Sequence, residues 1–435
     1  MKKNQGYIIP KVLLPAENVN LEKWACVACD QFSSQPNYWK NVEKFVGNAP
    51  SALNITLPEV LLEDENVSEY IASLKDTMRV YLQDGILTEL PRGAVLTERH
   101  IGGKVRKGLL LAMDLEQYDY KTENKPLLRA TEQTVLSRIP PRVEIRRGAA
   151  VELPHIMLLI DDEADSVIGP LHMQRNTLPK LYDFDLMMDG GRVEGWLVNN
   201  PKLEEGFVSA IDALPKRDNM QFCVGDGNHS LATAKAIWDE AKEGLDAEER
   251  ESSPLRYALC EVINLRDSAV EFMPIHRVMF GVNPAGCVQY IVERLRERGK
   301  QAKLVFGRWR TKTEDNGTYQ IPFLYRDGAG RIIIENPTHP LAVGEVQEIF
   351  DEYIATNSSA HIDYIHGDDA FAELAKQYDN IGFYFDSMDK SEFFDMIVKC
   401  GVLPKKTFSL GEAAEKRYYL EGRLLEYNET EMTEE

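Results

Sequence analysis

Apolar positions along the chain switch repeatedly between a period of two and a period of three to four, and each switch marks an element. The run Trp24-Ala25-Cys26-Val27-Ala28-Cys29-Asp30-Gln31-Phe32 reads as a short strand that breaks into the turn set Ser33-Ser34-Gln35-Pro36. Ile71, Leu74, Met78 and Leu82 predict a helix over Glu69 to Gln83, with Gly85 just past its end. Leu109 to Leu115 and Ile156 to Ile160 read as strands, and Tyr182 to Asn199 as a hairpin around Asp189-Gly190-Gly191. Asn200-Pro201 and Asn283-Pro284 are helix starts, each with a capping amide followed by a proline preset for the first turn. Strands follow at Lys303–Phe306, Tyr319–Tyr325, Arg331–Ile334 and Ile381–Phe385, alternating with helices at Val343–Ala355, Ala370–Gln377 and Glu392–Lys399.

The change of period is sharpest in the middle of the chain. Four strand-like residues, Gln221 to Val224, run into Gly225-Asp226-Gly227-Asn228-His229-Ser230, after which Leu231, Ala234, Trp238 and Ala241 fall at helical spacing until Gly244. A strand that feeds a helix through such a turn presents backbone N–H groups and a positive dipole end, where an anion can sit. The glycines allow close approach, and Asp226, Asn228 and His229 add a carboxylate, an amide and an imidazole. The same residues also suit a plain helix cap. Strands at Arg256–Asn264 and Ala269–Met273 are close enough in sequence to complete a β–α–β unit beside this turn.

The expected fold class is therefore α/β with an α+β N-terminal part, and mixed sheets carrying a strand–loop–helix ligand site. The expected divisions are an N-terminal α+β domain over 1–150, a central α/β domain over 151–300 that carries the turn, a C-terminal α/β domain over 301–425 and an acidic tail over 426–435.

Composition narrows the function. Acidic residues number 70 against 50 basic ones, a net charge of −20, which repels nucleic acid and anionic lipid over most of the surface. An anionic ligand must then be drawn in by a local cluster. No apolar run reaches the ~18 residues of a membrane span, and the polar start at Met1-Lys2-Lys3 lacks the apolar core of a signal peptide, so a cytoplasmic location is expected. The six cysteines lie mostly in apolar runs, as reduced core thiols do. Cys26-x-x-Cys29 has no second pair at zinc-finger spacing.

Asp226-Gly227-Asn228-His229-Ser230 resembles the Asp-Gly-His-His-Arg hallmark of the uncharacterised family of unknown function numbered 1015. Phe272-Met273-Pro274-Ile275-His276-Arg277-Val278 resembles its Pro-Thr-His-Arg segment, and Arg129-Ala130-Thr131-Glu132-Gln133-Thr134 its Arg-His-Glu-x-Thr segment. Leu403-Pro404-Lys405-Lys406-Thr407-Phe408 is similar to its Pro-Lys-Ser-Thr-Tyr-Phe ending. Two departures stand out: Asn228 replaces the first histidine, and Ser230 replaces an arginine that could hold phosphate bidentately. The hallmark is also similar to the nucleotide loop of the ParB and sulfiredoxin superfamily, which includes a free-serine kinase.

What the resemblance implies is an enzyme that binds a phosphorylated small molecule or nucleotide, ATP or ADP with Mg²⁺, and moves a phosphoryl group to or from a small hydroxylated metabolite. Asp226, His229 and His276 are the expected acid–base or metal-binding groups. Gly225, Gly227, Asn228 and Ser230 would shape the ligand site, with Arg277, Lys405, Lys406 and Thr407 supplying donors. Arg129, Glu132, Arg138, Arg142, Arg146 and Arg147 form the densest basic island, which reads either as an anion clamp or as a face that compensates nearby acids. Two alternatives stay open: a non-catalytic metabolite sensor using the same turn, and a metal-dependent hydrolase using His361, Asp363 and His366.

Overall fold

The computed structural model describes residues 6–33, 35–121, 124–133, 139–308 and 317–426. The chain has a mixed α/β fold in two compact units, one of residues 1–271 with 413–435 and one of 272–412. The division expected at 150 falls inside the first unit, because strands from both sides of it share one sheet. The chain path leaves the first unit at 271 and returns to it at 413. Arg138 and the tail beyond Glu426 lie outside the described residues.

The first unit is built on a ten-stranded mixed sheet. Its order is Lys180–Asp185, Arg192–Val198, Ala94–Ile101, Lys104–Asp114, Tyr257–Asn264, Met157–Ile160, Phe222–Asp226, Leu128–Arg129 and Tyr118–Asp119, with Tyr7–Ile8 added beside Lys104–Asp114. Both faces are covered, as the strands' apolar runs require. Val95, Leu110 and Leu259 pack with Trp24, Trp39, Leu74 and Met78 on one face. Leu96, Leu109 and Leu111 pack on the other with Phe207, Ile211, Leu231 and Trp238, the apolar stripes of the Pro201–Ala213 and Asn228–Ala241 helices.

The expected β–α–β unit is not formed. Met157–Ile160 lies between Phe222–Asp226 and Tyr257–Asn264, antiparallel to the first and parallel to the second. The Trp24–Phe32 run is also not a strand. Its polar neighbours Asn20 and Glu22 start a short Leu21–Trp24 helix, and the rest is irregular chain, buried over Ala25–Ala28 and half-buried over Cys29–Phe32, with an isolated bridge from Val27 to Tyr418.

The second unit holds a seven-stranded sheet whose pairs are antiparallel, in the order Gln301–Phe306, Gly328–Glu335, Thr318–Tyr325, Ile381–Phe383, Phe272–Phe280 and His361–His366, with Phe408–Leu410 extending Phe272–Phe280. Alternation on Phe272–Phe280 sends Met279 toward the Pro284–Glu297 and Ala342–Thr356 helices and Val278 toward Phe371 of the Asp368–Ala375 helix.

Beneath the first sheet runs a buried charge network. Arg417 pairs with Glu261 at 2.8 Å and with Glu421 at 2.5 Å, and donates to the Pro154 carbonyl at 3.1 Å. The Thr97 hydroxyl donates to Glu261 at 2.7 Å, and Tyr182 donates to Glu421. Gly108 leaves the room: a Cβ there would stand 2.2 Å from a Glu261 oxygen. Nearby, Arg423 and Arg146 hold Glu152 at 2.6 and 2.5 Å. Burial pushes the Glu261 carboxyl up, but Arg417, Arg106 and the Thr97 hydroxyl outweigh it and hold it below the usual glutamate range. Glu152 is likewise pushed up by burial and carried lower by Arg423 and Arg146.

Removing one partner of such a pair leaves an uncompensated buried charge, so Arg417→Leu should destabilise the chain by about 3–5 kcal/mol in denaturant unfolding. Because the folded pKa of Glu261 and Glu152 is depressed, their stabilisation is complete above the unfolded value of ~4.3 and is lost as pH falls through the lower folded value. Glu261→Gln should therefore lower stability at pH 7 and flatten its fall below about pH 4, read from thermal midpoints across the acid range.

Candidate functional site

The Phe222–Asp226 strand delivers Asp226 to the start of the Asn228–Ala241 helix through Gly227, whose φ of +85° suits glycine. A Cβ on Gly227 would also stand 3.0 Å from the Ile156 backbone. Neither neighbouring polar side chain closes the helix end in the way a cap would. Asp226 accepts from the Gly227 N–H at 3.0 Å with one oxygen and pairs with the Lys416 ammonium at 3.1 Å with the other. Asn228 turns into the interior, accepting from the Thr131 N–H at 3.1 Å and donating to its hydroxyl at 3.2 Å, while Thr131 donates to the Val224 carbonyl at 2.6 Å. That double contact explains why an amide serves at this position: it is buried and pins the strand's end to the Arg129–Thr131 segment.

A second set of groups meets the turn from other parts of the chain. The Ser230 hydroxyl lies 2.9 Å from His155 Nε2, and His155 Nδ1 lies 3.0 Å from the Tyr419 hydroxyl. Tyr419 in turn donates to Cys29 Sγ at 2.9 Å and accepts from the Cys29 N–H at 3.1 Å. Asp30 stands 3.9 Å from His155 Nε2. Serine, imidazole, phenol and thiol thus form a continuous chain that ends beside the helix N-terminus, and Lys416 is the buried cation next to it. Burial pushes the Tyr419 hydroxyl well above its ordinary range, with Cys29 and Asp30 adding to the effect, so it stays a donor.

His229 is half-buried at the second position of the helix, and its carbonyl accepts from the Thr233 hydroxyl at 2.8 Å. His155, two positions before the Met157–Ile160 strand begins its pairing, brings an imidazole to the turn through Ser230.

The other expected donors are placed as follows. Arg129 is buried and holds the Asp218 carboxylate at 3.2 Å, Arg142 pairs with Glu59, Arg146 with Glu152, and Arg147 with Glu240 at 2.8 Å; Glu132 is half-buried next to Thr131. In the described residues the basic island is thus a set of ion pairs that tie separate segments together.

His276, Arg277, Lys405, Lys406 and Thr407 belong to the second unit. His276 and Arg277 are fully buried there. His276 stacks on Tyr384 with ring centroids 4.2 Å apart, and Arg277 donates to Gln347 at 3.2 Å and to the Lys405 carbonyl at 3.0 Å between the Tyr364 and Phe385 rings. Their contacts are those of a packed interior. Lys405 pairs with Asp351 at 3.1 Å, Thr407 donates to the Pro404 carbonyl at 2.6 Å, and Lys406 is exposed.

The metal set of the hydrolase alternative does not assemble. His361 and Asp363 are paired to Phe280 and Val278, while His366 is one step out of phase with them and points to the opposite face of the strand. His361 instead stacks on Phe280 at 4.8 Å.

Fold and turn together define a mixed α/β protein in which one strand–loop–helix junction brings Asp226 and Ser230 to Lys416 and His155. Residues 11–353 match the family described as "Protein of unknown function (DUF1015)", and the chain belongs to that family. Among solved structures it is similar to a free serine kinase variant in complex with AMP, at 14% identity and a TM-score of 0.42, over 73% of this chain and 92% of that one. It is also similar to a conserved hypothetical protein from Pyrococcus furiosus, at 13% identity and 0.37, over 72% of this chain and 90% of that one. A third is SbnI with C-terminal truncation from Staphylococcus aureus, at 11% identity and 0.35, over 69% and 82%. No curated protein matches the chain. No helix among the described residues is long and apolar enough to cross a membrane.

Burial pushes the Cys26 thiol up to about 12, and burial with Asp30 and Glu59 pushes Cys29 higher still. Since the thiolate is the reactive form, neither should be alkylated by iodoacetamide at pH 8 in the native chain. Both should be in denaturant, as read by intact mass.

Proposed function

We propose that the chain binds a phosphorylated small molecule, with a nucleotide as phosphoryl partner, at the Asp226–Ser230 turn and transfers a phosphoryl group to or from a small hydroxylated metabolite. The observation that carries this reading is the Asp226–Lys416 pair at the start of the Asn228–Ala241 helix, a buried ammonium 3.1 Å from a half-buried carboxylate. Helix end and ammonium together favour an anion, and the carboxylate beside them is placed to take a proton.

In the forward direction Asp226 accepts the proton of the acceptor hydroxyl. The acceptor oxygen forms its bond to the terminal phosphorus as the bond from phosphorus to the bridging oxygen breaks, and the nucleoside diphosphate leaves with the electron pair. Lys416 and the N–H groups at the helix start offset the charge on the transferred group, and His229 serves as a further phosphate contact. Ser230, polarised by His155, orients the ligand and replaces in part the donor that the family hallmark supplies with arginine. Asp226 fits Mg²⁺ poorly as a sole anchor, since both oxygens already have partners; Mg²⁺ supplies charge neutralisation when it arrives on the nucleotide's own phosphates.

A thermal-shift series with Mg²⁺ plus ATP, ADP, phosphoserine or inorganic phosphate tests the proposal, followed by a coupled assay for transfer. A nucleotide should raise the midpoint of the wild type and not of Lys416→Met. Asp226→Asn should lower turnover by about 10²–10⁴-fold, the usual contribution of a general base. A shift without turnover would favour the sensor reading, and no shift with any phosphorylated ligand would remove the proposal.

A further inference from the structure

On the Ala94–Ile101 and Arg192–Val198 strands, Glu98 and Glu194 are direct cross-strand partners. Two like charges facing each other across an antiparallel pair repel, and need something between or beside them. His100, two residues on and on the same face, provides it. Its Nε2 lies 3.6 Å from a Glu98 oxygen and 3.2 Å from a Glu194 oxygen, buried, yet in hydrogen-bond geometry with neither. The three donor atoms all lie within 4.8 Å of one another.

We infer that Glu98, His100 and Glu194 form a binding site for a divalent cation of the zinc type. The spacings carry the assignment. A tetrahedral ion with bonds of ~2.0–2.1 Å places its donors roughly 3.3–3.4 Å apart, and the two His100 distances bracket that value. A mixed set of one imidazole and two carboxylates suits zinc and its first-row neighbours better than calcium or magnesium, which prefer oxygen alone.

The surroundings are those of supported ligands. Each carboxylate turns its second oxygen toward bases: Glu98 to His172 at 2.8 Å and Arg175 at 3.0 Å, in hydrogen-bond geometry with neither, and Glu194 to Lys180, which donates to it at 2.7 Å. The Lys180 hydrogen bond is an outer contact of the kind that fixes the orientation of a metal-binding carboxylate. Lys107 is matched by Asp165 and Asp267, while Arg192 is held by Asp183 at 2.5 Å and lies 3.9 Å from the Glu194 oxygen that faces His100. Glu98 is buried, while His100 and Glu194 are partly exposed, which leaves a path for entry and one coordination position for water.

The site is independent of the Asp226 turn and is tested apart from it. After dialysis against chelator, the full chain is titrated with Zn²⁺ by calorimetry and with Co²⁺ by visible absorption. The expected result is one equivalent bound, with cobalt bands of four- or five-coordination, a zinc-dependent rise in thermal midpoint, and a loss of affinity of about tenfold or more in His100→Asn and in Glu194→Gln. Midpoints in chelator establish that both variants are folded. Absence of stoichiometric binding to the wild type, or equal binding by the two folded variants, would overturn the assignment.

Discussion

The first unit depends on a carboxylate that has no access to water. Glu261 sits in the middle of a ten-stranded sheet, and the largest offset to its charge is Arg417, which reaches it from a distant part of the chain. From that one constraint much else follows. Arg417 is held in turn by Glu421 and the Pro154 carbonyl, so the residues on either side of it are locked in place. Its neighbour Lys416 is thereby presented to Asp226, and Tyr419 to His155 and Cys29. The polar groups at the turn are thus oriented by a buried ion pair lying under the sheet, in the way a supporting layer of contacts fixes the geometry of a site above it.

Much of the fold was legible in the pattern of the chain. The helices that begin at Asn200 and Asn283 are capped by those side chains, as Asn-Pro predicts, with Asn200 accepting from Lys202 and Asn283 from Gly286. The helix expected over Glu69–Gln83 spans Val67–Gln83, and the hairpin expected over Tyr182–Asn199 is the pair Lys180–Asp185 and Arg192–Val198. These are local features, decided by neighbours in sequence. Strand order is not local, and the insertion of Met157–Ile160 between Phe222–Asp226 and Tyr257–Asn264 carries no sequence signal near either strand.

The site divides along the same line. Asp226, Gly227 and Ser230 were recognisable because strand, turn and helix are contiguous, whereas Lys416, Tyr419 and His155 come to them from afar. The Lys416-Arg417-Tyr418-Tyr419 run, dense in charge and aromatic surface within an acidic end, was the available clue. Charge alone also says nothing about burial. His276 and Arg277 look in sequence like a ready anion contact, yet a strand whose two faces are both covered buries them completely.

The first unit is discontinuous in sequence, interrupted by residues 272–412 before its last segment arrives. A chain emerging from the ribosome will therefore have made every strand of the large sheet while Glu261 and Glu152 still lack the guanidiniums of Arg417 and Arg423. Until then Glu261 is without Arg417 at the centre of the sheet, and Glu152 has only Arg146, so the sheet lacks the ion pairs that offset its buried charge. The full stability of the unit is therefore reached only once residues 413–435 have been added after the second unit. The stability of the first unit is in this sense a check on translation: a product cut short before Arg417 carries its buried carboxylates without their distant partners.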